Sequence, residues 1–156
     1  MPTNRPTATT GQLDEPGRCP SNTVLLVDDD PASGAGAVPP EFDGVLVLRC
    51  EVDYATRSTR KGIERFTVGQ WQEPVTPQLL AAFALPDRDF RKNAVACAAA
   101  RGGRTAIYLV DRADRAIRVL PPTQQPCDDI RDEVEALLPS IRPPAGKTFY
   151  AEQAAR

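Results

Sequence analysis

Along the chain, apolar side chains recur mostly with the two-residue period of a strand, and helical spacing shows in only two places. Thr23 to Val27 is a short apolar run stopped by Asp28, Asp29, Asp30 and Pro31, which predicts a buried strand. Small residues and prolines from Ala32 to Pro40 predict a loop. Gly44 to Tyr54 alternates. Leu46, Leu48, Cys50, Val52 and Tyr54 form the face predicted to be buried, and Val45, Val47, Arg49, Glu51 and Asp53 form the outward one. After a polar turn from Arg57 to Gly62, Ile63 to Trp71 offers this strand an antiparallel partner. Asn93 to Arg101, Gly102-Gly103 and Arg104 to Asp111 predict a second hairpin. Arg112, Ala113 and Asp114 then turn the chain into Arg115 to Leu120, which Pro121 and Pro122 stop. Lys147 to Glu152 predicts a last short strand.

The two helical stretches are punctuated differently. Thr76 in the N-cap position and Pro77 in the first turn open a helix through Leu79, Leu80, Phe83 and Ala84, and Pro86 ends it. Pro126 to Leu138 has Asp128 and Asp129 at the positive end of the helix dipole and a stripe of Ile130, Val134, Leu137 and Leu138. The sum predicts an α+β fold, an antiparallel sheet of about five to six strands with two helices packed on one face. Residues 1–18, rich in Thr and Pro and poor in core-forming side chains, read as a disordered tether. Residues 19–142 read as a single domain and 143–156 as a partly disordered C-terminal extension.

At 156 residues the chain suits one domain with a core of its own, and a net charge of −2 gives no basic footprint for nucleic acid. No apolar run reaches the roughly twenty residues that a membrane-spanning helix needs. The chain contains no histidine, which removes the commonest neutral-pH general base and the commonest zinc ligand. Ser21, Ser33, Ser58 and Ser140 lie in no nucleophile elbow, and Gly102-Gly103 lacks the spacing of a phosphate loop. Glu51 and Asp53, side by side on one strand face, read as solvated charges rather than a catalytic pair. No catalytic residue, cofactor or metal is therefore expected, and the chain reads as non-enzymatic. Trp71, flanked by Gln70 and Gln72, is a candidate partner contact, with the edge of the core as its other reading.

Cys19, Cys50, Cys97 and Cys127 are widely spaced, with no two of them at zinc-ligand distance in sequence. They read as two disulfides formed outside the reducing cytosol, although four buried thiols in a cytosolic protein would give the same pattern. Four cysteines allow three connectivities. Cys19 with Cys50 and Cys97 with Cys127 give the most compact units. Residues 1–20 lack the basic head and apolar stretch of a signal peptide, so export implies a leader or anchor outside this sequence.

Three resemblances follow from these residues. Val24 to Pro31 (VLLVDDDP) resembles the first strand and acidic loop of two-component receiver domains, in which clustered carboxylates hold magnesium. The Gly/Pro loop after Pro31 departs from that pattern, and Asp28 to Asp30 read as a solvated strand end. The order Cys97, small residues, Ile107 to Asp111, Arg118 and Cys127 resembles the C-terminal half of subtilisin-inhibitor-like proteins. That likeness implies a protease-binding loop at Ala98, Ala99 and Ala100 braced by Cys97. More broadly, Arg18-Cys19-Pro20, Leu48-Arg49-Cys50, Ala96-Cys97-Ala98, Leu109-Val110-Asp111 and Pro126-Cys127 resemble the exported two-disulfide domains of actinobacterial envelope proteins and lipoproteins. This likeness implies an extracytoplasmic place, secreted or anchored at the cell surface. The expected function is a non-catalytic module that binds a protein or glycan partner of the cell envelope. The alternative is a secreted serine-protease inhibitor using the loop after Cys97.

Overall fold

A computed structural model describes residues 5–13, 15–20, 34–53, 57–58, 63–88, 103–124, 129–140 and 147–154, with backbone alone for 52–53, 57–58, 63–68, 103–104 and 147–154. The strands are β1 (Gly11–Gln12), β2 (Gly44–Asp53), β3 (Arg57–Ser58), β4 (Ile63–Pro74), β5 (Gly103–Asp111), β6 (Arg115–Val119), β7 (Thr123–Gln124), β8 (Asp129–Ile130) and β9 (Lys147–Ala154). The helices are α1 (Pro77–Phe83) and α2 (Asp132–Glu135). Five longer strands form an antiparallel sheet in the order β6-β5-β2-β4-β9, with two-residue β1 against β6 and β3 against β4. The mixed composition and the antiparallel sheet agree with the sequence pattern.

Each long strand follows from its residues. β2 and β4 pair over Leu46↔Pro74 to Asp53↔Thr67, so the expected partner of β2 is present and runs three residues past Trp71. β5 is an unbroken apolar run from Ala106 to Val110 with both neighbours occupied, β2 on one side and β6 on the other. The β5–β6 turn is fastened by Asp111. Its Oδ1 accepts from the backbone N–H groups of Ala113 and Arg115 at 2.9 Å each, and Oδ2 accepts from Arg115 Nε at 2.8 Å. Asp114 takes φ 60° there, the left-handed conformation that Asp tolerates better than most residues.

Both faces of this sheet are covered, which corrects the expectation that the face of Val45, Val47, Arg49, Glu51 and Asp53 points outward: Val47 and Arg49 are buried, Val45 and Glu51 are half-buried, and the side chain of Asp53 lies outside the described ones. On one face Val47, Ile107, Leu109, Ile117 and Val119 cluster with Leu79, Ala82 and Phe83 of α1 and with Val134, Leu138 and Ala8. On the other, Leu48, Cys50, Ala106, Tyr108, Val110 and Ala116 cluster with Cys19, and Leu13 packs against them. The reason lies in Val45-Leu46-Val47-Leu48, apolar at both parities, which suits a strand buried on two sides.

α1 starts where Thr76 and Pro77 place it. Thr76 Oγ1 accepts from the Leu79 N–H at 3.1 Å, and the helix ends at Ala84, ahead of Pro86. Leu79, Ala82 and Phe83 form its buried stripe, and burial of the leucine and the phenylalanine contributes about 1.5–3 kcal/mol each. The helix expected over 126–138 is instead the four-residue α2. Asp129–Ile130 pairs with Thr123–Gln124, and the Gln124 carboxamide accepts from the Asp132 N–H and donates to the Asp132 carboxylate at 3.1 Å each. These bonds from Gln124 meet the first residue of the helix, since Arg131 in the N-cap position makes no side-chain cap bond. Val134 and Leu138 of the expected stripe are buried, whereas Leu137 is exposed.

Of the segment read as a tether, residues 5–13 lie against the domain. Gly11 and Gln12 pair with Ala116 and Arg115, and Arg5 Nη1 donates to the Leu120 carbonyl at 2.8 Å. Gly36 closes the rest of the β6 edge, its N–H bonding Arg118 O at 3.1 Å and its carbonyl accepting from the Leu120 N–H at 2.9 Å. Pro6 crosses so close to Gly36 that a Cβ there would meet the Pro6 carbonyl oxygen at 2.1 Å. Backbone hydrogen bonds and the Arg5 side chain hold this segment, with Ala8 and Leu13 its main apolar contacts, which is why composition does not reveal it. The predicted strand at 23–27 and the hairpin arm at 93–101 lie outside the described residues.

Candidate functional site

The residues singled out by sequence separate clearly. Cys19 and Cys50 are joined, with their Cα atoms 5.9 Å apart, so this expected disulfide is present. Cys97, Cys127, Ala98 to Ala100 and Asp28 to Asp30 lie outside the described residues. Trp71 and Glu51 lie on one face of the sheet, together with groups that the sequence did not single out.

The disulfide carries a second fastening beside it. Gln70, the register partner of Cys50, is 2 % exposed. Its Oε1 accepts from the Cys19 N–H at 2.7 Å, and its Nε2 donates to Gly17 O at 3.0 Å and to Gln72 Oε1 at 3.2 Å. A buried carboxamide with both ends engaged pins residues 17–19 on the sheet where the sulfur bridge lands. Gln70 was legible only as a polar neighbour of Trp71, since its partners are fifty-one and fifty-three positions away.

On the opposite face, Arg49 sits at the centre of a polar cluster. It is 5 % exposed, although it belongs to the face expected to point outward. Arg49 Nε donates to Glu51 Oε1 at 2.8 Å, and Nη1 donates to Glu135 Oε1 at 2.7 Å and to Pro139 O at 3.3 Å. Thr105 Oγ1 lies 2.8 and 2.9 Å from the two Glu51 carboxylate oxygens. Burial alone would lower the guanidinium pKa, but hydrogen bonds to Glu135 and Glu51 outweigh it and the net direction is upward. The cluster ties α2 and the Pro139 turn to the sheet. Glu51 thereby has a structural partner set, and the side chain of Asp53 lies outside the described ones.

Trp71 stands directly across from Arg49 in the β2–β4 register and is half-buried. Its six-membered ring lies over Gly69, where a Cβ would meet Cη2 at 2.7 Å and Cζ3 at 2.8 Å. The glycine thus gives the indole a seat on bare backbone. Glu51 is the register partner of Gly69, so a carboxylate held by Arg49 and Thr105 belongs to the same face as the ring. An aromatic surface bordered by fixed polar groups is suited to contact with a partner, since it presents apolar area at little conformational cost.

A further polar cluster braces the ends of α1 and α2. Arg88 and Arg131 both pair with Glu133, and Arg131 Nη1 donates to Pro86 O at 2.7 Å. The Arg131 hydrogen bond pulls the Glu133 carboxyl below its usual range, against its partial desolvation. Arg5 pairs with Asp87 at 2.9 Å, and the same Asp87 oxygen accepts from the Thr123 N–H at 2.9 Å. These pairs are structural fastenings.

Among the described residues, no group of three or more His, Cys, Asp or Glu side chains is placed to hold a metal ion. No described helix is long and apolar enough to cross a membrane. Comparison with protein-family models, with curated proteins and with solved structures finds no match to this chain.

Proposed function

We propose that this chain is a non-catalytic extracytoplasmic module that binds a protein or glycan partner at the cell envelope, with the Trp71 surface as its contact. The observation that carries the reading is a half-buried indole seated on Gly69, on a sheet whose opposite face holds the buried Cys19–Cys50 disulfide. Disulfides persist where thiols are not kept reduced, which supports a place outside the cytosol, secreted or at the cell surface. The likeness to exported actinobacterial envelope domains points the same way. The charged groups next to the indole, Arg49, Glu51 and Glu135, are engaged with one another, so they shape the surface rather than stand ready for proton transfer.

Trp71 is the only tryptophan, so its emission reports this surface without labelling. Titration with isolated cell-wall glycan and with detergent-extracted envelope protein gives a saturable emission change with one of the two, and calorimetry with that fraction reads an affinity that Trp71→Phe lowers at least about tenfold. No change with either fraction would refute the reading. A stoichiometric, tight block of a subtilisin-type protease would replace it with the inhibitor reading.

A further inference from the structure

The Cys19–Cys50 bridge is buried at both ends, with Cys19 2 % and Cys50 0 % exposed. A thiol exchanges with a disulfide only by reaching one of its sulfurs, so burial makes access the controlling step. Two kinds of opening give access, and they break different things. Cys50 belongs to the inner strand β2, where Gln70 of β4 and Ala106 of β5 are its register partners on either side. Freeing Cys50 means taking the sheet apart. Cys19 belongs to residues 15–20, which turn back on themselves, with the Arg18 N–H bonding Glu15 O at 3.2 Å and Gly17 at φ 68°. Glu15 and Pro16 are exposed and Gly17 is half-buried. Lifting this segment breaks none of the sheet's ladders, which makes it the cheaper opening.

Gln70 grips the segment from below. Its Oε1 accepts from the Cys19 N–H at 2.7 Å and its Nε2 donates to Gly17 O at 3.0 Å, so one side chain holds the chain at Cys19 and two residues before it. The carboxamide is 2 % exposed and stands at the register position of Cys50 itself. Neither bond involves a sulfur, and buried hydrogen bonds of this kind are costly to break without replacement.

We propose that residues 15–20 are a strap over the disulfide and that Gln70 is its latch: thiols reach the bridge by local opening of the strap, at a rate set by the Gln70 bonds, while the sheet stays folded. With dithiothreitol as reductant, one of its thiolates attacks a cysteine sulfur, and the other cysteine leaves as a thiolate that takes up a proton. The second dithiothreitol thiol then displaces the remaining protein sulfur and closes a cyclic disulfide. The bridge is thereby reduced to two thiols and one dithiothreitol is oxidised. The strap lies on the opposite face from Trp71, and its gating role is independent of the reading given for that surface.

The test follows reduction of the full oxidised chain by excess dithiothreitol, with Cys19 and Cys50 read by alkylation and peptide mass spectrometry, beside hydrogen exchange of the Cys19 and Leu109 amides. Cys19 exchange reports the latch, and Leu109, between β2 and β6, reports the sheet. In the unmutated protein, reduction is slower than in an unstructured cystine peptide by the factor that protects the Cys19 amide, to within about threefold. Between zero and about 1 M urea, reduction changes by less than about twofold while Leu109 exchange speeds about tenfold, because only the second needs the whole fold to open. Gln70→Ala removes both bonds and speeds reduction and Cys19 exchange at least about tenfold. Reduction as fast as in the free peptide, reduction that accelerates with urea as Leu109 exchange does, or equal reduction rates for the two proteins would each overturn the proposal.

Discussion

Replacing Arg49 by methionine is the sharpest perturbation of the helix-bearing face, because it removes a buried cation while keeping most of the side chain's length. The guanidinium makes bonds to Glu51, Glu135 and Pro139 O, and hydrogen bonds to charged groups are worth about 1.5–3 kcal/mol each. Three effects reduce that sum. The variant no longer desolvates a guanidinium, Glu135 with 46 % of its side chain exposed returns to water, and Glu51 at 24 % keeps Thr105. The net cost is therefore about 1–2 kcal/mol, below the 3–5 kcal/mol typical of fully enclosed pairs. Urea unfolding followed by far-ultraviolet circular dichroism reads it as a midpoint drop of about 1 M, taking a slope near 1.5 kcal/mol/M. In a double-mutant cycle with Glu135→Gln, the coupling is about 1 kcal/mol and changes little in high salt, because the cation is buried. A methionine variant as stable as the parent would refute the reasoning. It would mean that desolvation of the arginine cancels its ion pairs.

Three more outcomes follow from other contacts. Replacing Cys19 and Cys50 together by alanine removes a cross-link spanning 31 positions, which the chain-entropy model values at about 3.7 kcal/mol; urea unfolding checks it, and a loss under about 1 kcal/mol would contradict it. Gly36→Ala forces the Pro6 carbonyl away, so hydrogen exchange at the Ala8, Thr9 and Ala37 amides speeds at least about tenfold while Ile117 in β6 stays protected; unchanged exchange at Ala8 and Ala37 would count against the crossing. For Asp111, desolvation raises the carboxyl pKa, but bonds from the Arg115 and Ala113 backbones and the Arg115 side chain bring it below the usual carboxylate range, while Glu133 is lowered chiefly by Arg131. Lowered folded-state values give stability that is present above the unfolded range near about 4 and is lost as pH falls through the folded values. Asp111→Asn therefore flattens the acid limb of the unfolding midpoint, and an unaltered limb would refute the assignment.

Local signals in the sequence are the ones that hold. Thr76, Pro77 and Pro86 bracket α1 because capping and ring geometry act within a few residues. Arg112-Ala113-Asp114 marks a turn, because Asp111 reaches its own neighbours. Alternation located β2 but not its second buried face. Whether Val47 and Arg49 meet solvent depends on α1 and α2, and Glu135 lies 86 positions from Arg49. The long helix expected at 126–138 failed for a similar reason: Gln124 and the β7 strand, rather than the proline at 126, decide where the helix begins. Trp71 was visible as a lone aromatic among glutamines. Its glycine seat became visible only when Gly69 and the ring were placed on one face.

The claim on which the rest depends is that Cys19 and Cys50 are oxidised in the living cell, outside the cytoplasmic membrane. Cells alkylated at lysis, fractionated, and digested without reduction give the direct measurement by mass spectrometry. A linked peptide pair containing Cys19 and Cys50, recovered from the extracytoplasmic fraction, is the predicted result. Recovery of both cysteines as alkylated free thiols in the cytosolic fraction would contradict it.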